Sequence, residues 1–314
     1  MKNIVISGAT GFLGSNLVNK FIVNGDIVWA IVRPESKNRD ILDRYSPNLK
    51  IVFSELMDNR KIIDSIKQAD AWFHFAWGGV NRKEIDSQEV QQYNIEMSVN
   101  VLSLAHELGC KIFFDAGSRV EYGIVEGKMK EDLQCHPINE YGKAKLQFYK
   151  KATILCEKYN MKYCHLRFFS VYGFGDHPWS IISTLIRELP KGEKVSLSAC
   201  RHLWNFMYIK DAIDAVYQLY LAILENDSFK SEIINIASED TRELRKFVEE
   251  VYAILGKSGT LEYGTFEQAK EGALSIIPDI QKLYDFTGLW KEKYSFDMGI
   301  KDTLKEYKKG NEED

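Results

Sequence analysis

Tyr141 and Lys145 stand four residues apart within the run 140–159. The apolar spacing of that run predicts a helix, which puts positions i and i+4 on one face. A phenol ionises near pKa ~10, and a neighbouring ammonium favours the phenolate and lowers that value. Such a tyrosine can give or take the proton of a hydroxyl while a bond changes on the attached carbon. Taken alone, the pair is better explained as a surface contact. Ser118 alters that balance. The apolar run 111–114 predicts a strand that feeds Asp115-Ala116-Gly117-Ser118. In open parallel sheets ligands sit beyond the carboxyl ends of the strands. The Ser118 hydroxyl is thereby placed to bond a substrate oxygen, where an isolated strand-end serine would be a turn or cap residue. Ser118, Tyr141 and Lys145 form the predicted catalytic set.

These residues need a partner that moves electrons, and the amino terminus supplies a place for one. Residues 2–7 form a short β-branched strand that stops at Gly8. Gly8, Gly11 and Gly14 punctuate a turn that also holds Thr10, Phe12 and Leu13. A helix over 15–24 and a strand over 27–32 complete a βαβ unit. Free N–H groups at a helix start, reached across glycines, suit a pyrophosphate. Strand, glycine turn and helix in that order separate a dinucleotide loop from a plain tight turn. The second strand ends Ile31-Val32-Arg33-Pro34, without the acid that often binds the adenosine ribose. Arg33, with Lys37 and Arg39 nearby, suits a 2′-phosphate instead. NADP(H) is the favoured cofactor, and NAD(H) stays open. An oxidised nicotinamide beside Tyr141 would also favour its phenolate.

The remaining elements alternate. Strands are predicted at 50–53, 71–75 and 163–168, and helices at 60–66 and 89–108. This implies an α/β fold, a Rossmann-type doubly wound parallel sheet. After Gly173 the segments shorten and mix, with helices at 211–224 and 243–255. The expected division is a dinucleotide-binding domain over 1–172 carrying the catalytic residues. A smaller C-terminal substrate-binding lobe spans 173–314, with some segments returning to the first. The last residues, 308–314, read as frayed and solvated. Of the 314 residues 45% are hydrophobic and 27% charged, with a net charge of -4. No basic block suggests a nucleic-acid partner. No apolar stretch approaches the ~18 residues of a membrane span. The five cysteines are scattered, without metal spacing, so no metal site is expected and the thiols read as reduced and cytoplasmic.

The motifs resemble the extended short-chain dehydrogenase/reductases, the NAD-dependent epimerase/dehydratase group that acts on nucleotide sugars. The similarity runs through nearly the whole chain. Gly8–Gly14 matches the cofactor loop, and Glu55-Leu56 stands at the family's Asp-Leu beside the adenine. Phe73-His74-Phe75-Ala76, followed by Trp77, matches the fourth-strand signature that passes the cofactor. Tyr93-Asn94 matches the central-helix site, where the asparagine is more often structural. Gly117 to Gly123 matches the strand-end serine motif. Leu166 to Gly173 matches the segment that places Phe169 near the nicotinamide. Asn205 to Asp211, Asn235-Ile236-Ala237 and Pro278-Asp279-Ile280 resemble substrate-lobe motifs. The resemblance implies cofactor contacts at Glu55, Leu56, Phe75, Ala76, Trp77, Tyr93 and Phe169, besides Tyr141 and Lys145. It implies a nucleotide-sugar substrate and a homodimer joined through helices 89–108 and 145–159.

Departures from the family pattern narrow the reaction. Family dehydratases follow the strand-end hydroxyl residue with an Asp-Glu pair that handles protons during water loss. Arg119 and Val120 occupy those positions here, and valine transfers no proton. Ser170 replaces an asparagine that contacts substrate in epimerases. Trp204 replaces a pyrophosphate-binding arginine, for which Arg201, His202 or Arg242 can substitute. Substrate contacts are therefore expected at Ser118, Arg119, Ser170 and Arg201. The pattern looks most like NADPH-dependent reductases of 4-keto-6-deoxy nucleotide sugars, dTDP- or CDP-linked, as in deoxysugar and surface-polysaccharide synthesis. A 4-epimerase with retained NAD is the alternative. A cofactor-sensing regulator has no need of an intact Ser118, Tyr141 and Lys145.

Overall fold

A computed structural model describes residues 1–42, 46–266, 275–288 and 290–312. The first half contains strands β1 (Asn3–Ser7), β2 (Ile27–Val32), β3 (Leu49–Phe53), β4 (Ala71–His74), β5 (Ile112–Ser118) and β6 (Lys128–Met129). Between them run helices α1 (Phe12–Val23), α2 (Asn59–Ile66) and α3 (Gln88–Glu107). Helix α4 (Glu140–Tyr159) leads into β7 (Lys162–Phe168) and β8 (Ser170–Tyr172). The second half adds α5 (Ile181–Glu188), β9 (Lys194–Leu197), β10 (Leu203–Tyr208), α6 (Ile209–Glu225), β11 (Ser231–Ile236) and β12 (Thr241–Glu243). It closes with α7 (Leu244–Ile254), β13 (Thr260–Tyr263), β14 (Ile277–Pro278), α8 (Gln281–Thr287) and α9 (Phe296–Glu312).

Seven strands form one parallel sheet in the order β11-β7-β5-β4-β1-β2-β3. The apolar runs of the sequence are continuous because both faces are covered. Ile4 and Ile6 of β1 point into one core with Leu17 and Phe21 of α1 and Val216 of α6. Val5, between them, points into the other core with Ile62 of α2, Val101 of α3 and Phe148 of α4. The order reverses direction between β1 and β4, and that crevice is where such sheets bind ligands.

The seventh strand comes from the second half of the chain. Residues 231–236 carry a closing motif of the sequence reading, Asn235-Ile236, yet β11 pairs in parallel with β7 along its length. With α6, which packs on α1 and carries core residues, it belongs to the central layers. The remaining second-half strands make small sheets: β12 and β10 with β8, β13 with β9, and β14 with β6. The C-terminal tail departs from its expected fraying: α9 continues to Glu312, and the last two residues lie outside the described set. Phe296 and Ile300 anchor that helix in the core.

The glycine turn is shaped by close approach. Gly8 has φ +78, and a Cβ there would lie 2.5 Å from the Phe75 backbone carbon. Gly14 sits on the Gly8 carbonyl, where a Cβ would come within 2.1 Å of the oxygen. This crowding lets α1 begin at Phe12, earlier than the expected residue 15. Gly11 is exposed, and its Cβ would meet only the Gly8 oxygen at 3.2 Å. Gly14→Ala should therefore overpack the turn and lower unfolding free energy by about 1–3 kcal/mol. Gly11→Ala should leave stability near wild type while weakening dinucleotide binding. Denaturant titrations that found the two variants equally stable would contradict this assignment.

Candidate functional site

Two hollows meet over the carboxyl ends of β1 and β4. One, about 660 Å³, is lined by Gly8, Thr10, Gly11, Arg33, Glu55, Leu56, Phe75, Ala76, Trp77, Tyr93 and Asn94. The other, about 360 Å³, is lined by Gly8, Gly11, Phe12, Leu13, Gly14, Phe75, Trp77, Ser118, Tyr141, Lys145 and Phe169. Gly8, Gly11, Phe75 and Trp77 belong to both, so the two are arms of one groove. Every residue expected to touch the cofactor lines one arm or the other. A larger hollow of about 750 Å³ opens at the opposite ends of the strands, beside Lys2, Asp70, Lys111 and Lys162. It contains none of the motif residues. Glycine turn, helix start and serine–tyrosine–lysine set converge only on the two-armed groove.

The groove fits a nicotinamide dinucleotide. Gly11 precedes helix α1 and brings no side-chain cap, which leaves first-turn N–H groups for an anion. The loop after β2 forms one wall through Arg33, Glu35, Ser36 and Lys37, with Thr10 Oγ1 3.3 Å from Ser36 Oγ. Glu35 is an acid that the strand-end reading missed, because Pro34 carries the chain past the usual position before the carboxylate appears. Arg39 lies outside this wall, paired with Asp40 on the surface.

A chain of neutral hydrogen bonds supports the crevice. Trp72 Nε1 donates to Ser7 Oγ at 3.0 Å, and Ser7 Oγ lies 2.7 Å from His74 Nδ1. His74 Nε2 lies 2.9 Å from Ser98 Oγ, whose hydroxyl donates to the Asn94 carbonyl at 2.7 Å. The Asn94 side chain accepts from Gly78 N at 3.0 Å and donates to Gly78 O at 2.9 Å. Burial, helped by the nearby Lys145 charge, holds the His74 imidazole neutral, down to about 3. The family histidine and asparagine thus tie β1, β4 and α3 together behind the groove.

Asn139 caps α4 by accepting from Gly142 N at 2.8 Å, which fixes the turn that presents Tyr141. Burial pushes the Tyr141 phenol well above its ordinary value, and its hydrogen bond with Ser118 offsets only part of that. Lys145 Nζ donates to the Ala116 carbonyl at 2.6 Å and lies 3.5 Å from the centre of the Trp77 ring. It stands 5.8 Å from the centre of the Tyr141 ring. Burial lowers Lys145 to about 7, although Asp115 and Glu121 favour its charge. The sequence reading had the lysine lowering the tyrosine. In this state desolvation dominates both groups, and Tyr141 is a neutral phenol able to donate.

The substrate-side candidates are placed unevenly. Ser118 lines the smaller arm. Arg119 lies with its guanidinium 4.9 Å from the Trp204 ring centre, and the His202 ring stands edge-on to the same indole. Ser170 is half-buried in β8, opposite Phe206 of β10. Arg201 is exposed and lines neither arm. Arg242 is engaged by Asp240 and Glu250 and covers Phe247. Asp176 and His177 were not foreseen as site residues, yet both line the smaller arm. Asn205 and Asn235 are buried ties: Asn235 accepts from Tyr122 Oη and donates to the Met129 and Asp279 carbonyls. Asn205 donates to the Ser238 and Asp240 carbonyls.

The desolvated ammonium yields a stability prediction. A cation held near 7 when folded and near 10.5 when unfolded is penalised below pH 7, and the penalty fades as pH rises. Lys145→Met should therefore raise the melting temperature of the dinucleotide-free protein more at pH 6 than at pH 9. It should also weaken dinucleotide binding. A variant that melts below wild type at both pH values would overturn the burial argument.

The sequence profile of the NAD dependent epimerase/dehydratase family matches residues 4–237. The chain is 24% identical over 306 residues to the CDP-abequose synthase of Salmonella muenchen, covering 96% of this chain and 97% of that protein. It is 28% identical over 265 residues to the dTDP-6-deoxy-L-talose 4-dehydrogenase (NAD(+)) of Aggregatibacter actinomycetemcomitans, covering 80% and 90%. The UDP-glucose 4-epimerase of Thermotoga maritima, solved with UDP-glucose, superposes with a TM-score of 0.86 at 22% identity, covering 98% and 99%. That superposition extends over both lobes and shows the shared fold. With the glycine turn, the crevice and the strand-end motif in place, the chain belongs to the NAD-dependent epimerase/dehydratase family, the extended short-chain dehydrogenase/reductases.

Proposed function

We propose that the enzyme reduces the 4-keto group of a dTDP- or CDP-linked 4-keto-6-deoxy sugar, with NADPH as reductant. One observation carries this reading: no carboxylate directly after Ser118 is available to the substrate. Arg119 and Val120 bring none, and both oxygens of Glu121 are engaged by His165, Arg167 and the Ser118 N–H. The acid–base pair that dehydration needs is therefore missing from its place. The neutral Tyr141 phenol suits a reaction that begins by donating a proton. Similarity to proteins named CDP-abequose synthase and dTDP-6-deoxy-L-talose 4-dehydrogenase supports the same substrate class.

When bound, NADPH would supply the hydride for C4. The Ser118 hydroxyl and the Tyr141 phenol hold the keto oxygen and stabilise the charge that develops on it. The carbonyl π pair moves to that oxygen, and Tyr141 delivers its proton there. The resulting phenolate lies near the Lys145 ammonium, and water returns the proton. Lys145 would hold the nicotinamide ribose, the α1 start the pyrophosphate, and Arg33 with Lys37 the 2′-phosphate. Glu35 favours a second reading, because an acid on that wall suits the free ribose hydroxyls of NAD. A 4-epimerase would keep NAD bound and show no net oxidation.

The proposal is tested by offering a 4-keto-6-deoxyhexose on dTDP or CDP, generated by a separate dehydratase, together with NADPH. Nicotinamide oxidation should match 4-hydroxyl product one for one. Tyr141→Phe should remove most turnover while dinucleotide binding persists. Interconversion of 4-hydroxyl epimers of a UDP-sugar without added cofactor would establish the epimerase instead. For the cofactor itself, an arginine–phosphate contact is worth about 1.5–3 kcal/mol, on the order of tenfold to a hundredfold in affinity. NADP(H) should bind more tightly than NAD(H) by that ratio, and Arg33→Ala should abolish the difference. Equal binding by the wild type would assign that wall to Glu35.

A further inference from the structure

Four buried charges lie beneath the strand end that presents Ser118. Asp115 on β5 faces His165 on β7, and the two are register partners. His165 Nδ1 lies 3.0 Å from both Asp115 carboxylate oxygens. His165 Nε2 lies 3.0 and 2.9 Å from the two oxygens of Glu121. Arg167 Nε donates to Glu121 Oε2 at 3.0 Å. All four side chains are essentially inaccessible, at 0–2% exposure. A carboxylate only accepts hydrogen bonds. An imidazole with a carboxylate at each nitrogen must therefore carry both protons, and the group reads as two anions against two cations.

The network reaches the catalytic serine through Glu121. Glu121 Oε1 accepts the Ser118 N–H at 2.7 Å, while Ser118 Oγ accepts from Val120 N at 3.4 Å. These two bonds close a capping box around the single turn Arg119–Glu121. A turn of three residues has little rigidity of its own. Gly117 gives independent support: a Cβ there would lie 2.4 Å from His165 Nε2 and 2.8 Å from Glu121 Oε1. The charged groups fill the space that a side chain next to Ser118 would occupy. Buried ion pairs are a poor source of stability compared with apolar packing of the same shape. Their placement against the reacting strand end suggests what they do instead.

We propose that Glu121, clamped between His165 and Arg167, is a positioning residue that holds the Ser118 hydroxyl at the reacting oxygen. The inference rests on Ser118, Tyr141 and Lys145 being the reacting set. Asp115 orients the far side of the imidazolium. The Tyr149 ring of α4 lies 4.9 Å from the imidazole, and Tyr163 Oη lies 3.3 Å from Nδ1. Arg167 rests over the Tyr122 ring at 4.4 Å, and Lys145 faces the same strand end from α4 through the Ala116 carbonyl. Burial alone would lower His165, but the two carboxylates outweigh it and push it up to about 9. Burial alone would raise Glu121, and His165 with Arg167 holds it at about 2. The clamp is thus intact through neutral pH and opens as pH rises through His165's value.

Glu121→Gln keeps the shape and an acceptor for the Ser118 N–H but removes the charge that holds His165. A misplaced catalytic group can cost on the order of a hundredfold. We expect a kcat loss of roughly 10–100-fold by that measure, with dinucleotide affinity unchanged and the alkaline limb of the kcat profile moved to lower pH. A second readout needs no variant and no substrate. In protein labelled with 15N-histidine, the His165 ring should show both nitrogens protonated at pH 8. A neutral imidazole at that pH would overturn the clamp. So would a Glu121→Gln enzyme with wild-type kcat and pH profile while Tyr141→Phe is inactive. Full activity in Tyr141→Phe would remove the underlying site assignment, and this proposal with it.

Discussion

The carboxyl end of β1 must turn back within contact distance of the backbone that leaves β4, and the groove exists because it does. Gly8 makes that passage with a left-handed backbone, against Phe75. Gly14 then lets the first turn of α1 settle on the Gly8 carbonyl. Any side chain at either place would push helix and strand apart and close the crevice from one side. The strand order reverses at the same point, so no crossover helix covers it. One steric constraint therefore fixes where a ligand can lie, which helix start faces it and which strand ends surround it.

Polar burial behind the groove is divided by type. On the β1–β4 side, the Trp72–Ser7–His74–Ser98 chain is neutral, and each donor has an acceptor. On the β5–β7 side, the buried groups are fully charged and mutually compensated. Unpaired, either set would be expensive to bury. Both tie neighbouring strand ends to each other. The neutral set backs the wall of the larger arm. The charged set backs Ser118, where the proposed reaction needs a fixed hydroxyl.

The parts of this arrangement that depend on short spacing were legible in the sequence. Gly8, Gly11 and Gly14 lie within one turn, and Tyr141 and Lys145 within another, so their geometry follows from strand and helix periods. Ser118 followed from a strand end. The charged set was not legible, because His165 is 50 residues from Asp115 and 44 from Glu121. Only the pairing of β5 with β7 brings them together. Glu35 escaped because Pro34 delays the acid past the usual strand-end position. Strand β11 escaped as a sheet member because its pairing with β7 joins positions far apart in the chain. Of the two arginines expected at the substrate, Arg201 is exposed and Arg119 is laid on Trp204, a difference that neighbourhood in sequence does not show.

The two titrating cations near Ser118 oppose one another in a way that matters for the fold. His165 is raised from 6.5 to about 9, so its contribution to stability is complete below pH 6.5 and is lost as pH rises through 9. Lys145 is lowered from 10.5 to about 7, so its penalty is complete below pH 7 and is relieved as pH rises toward 10.5. Between pH 7 and 9 the unfolded chain binds a proton at the lysine and none at the histidine. The folded chain does the reverse over the same interval. Their contributions to the slope of stability against pH therefore cancel. The site can hold one desolvated lysine and one imidazolium without making the fold sensitive to pH around neutrality. Replacing either group alone removes the balance and exposes the slope of the other.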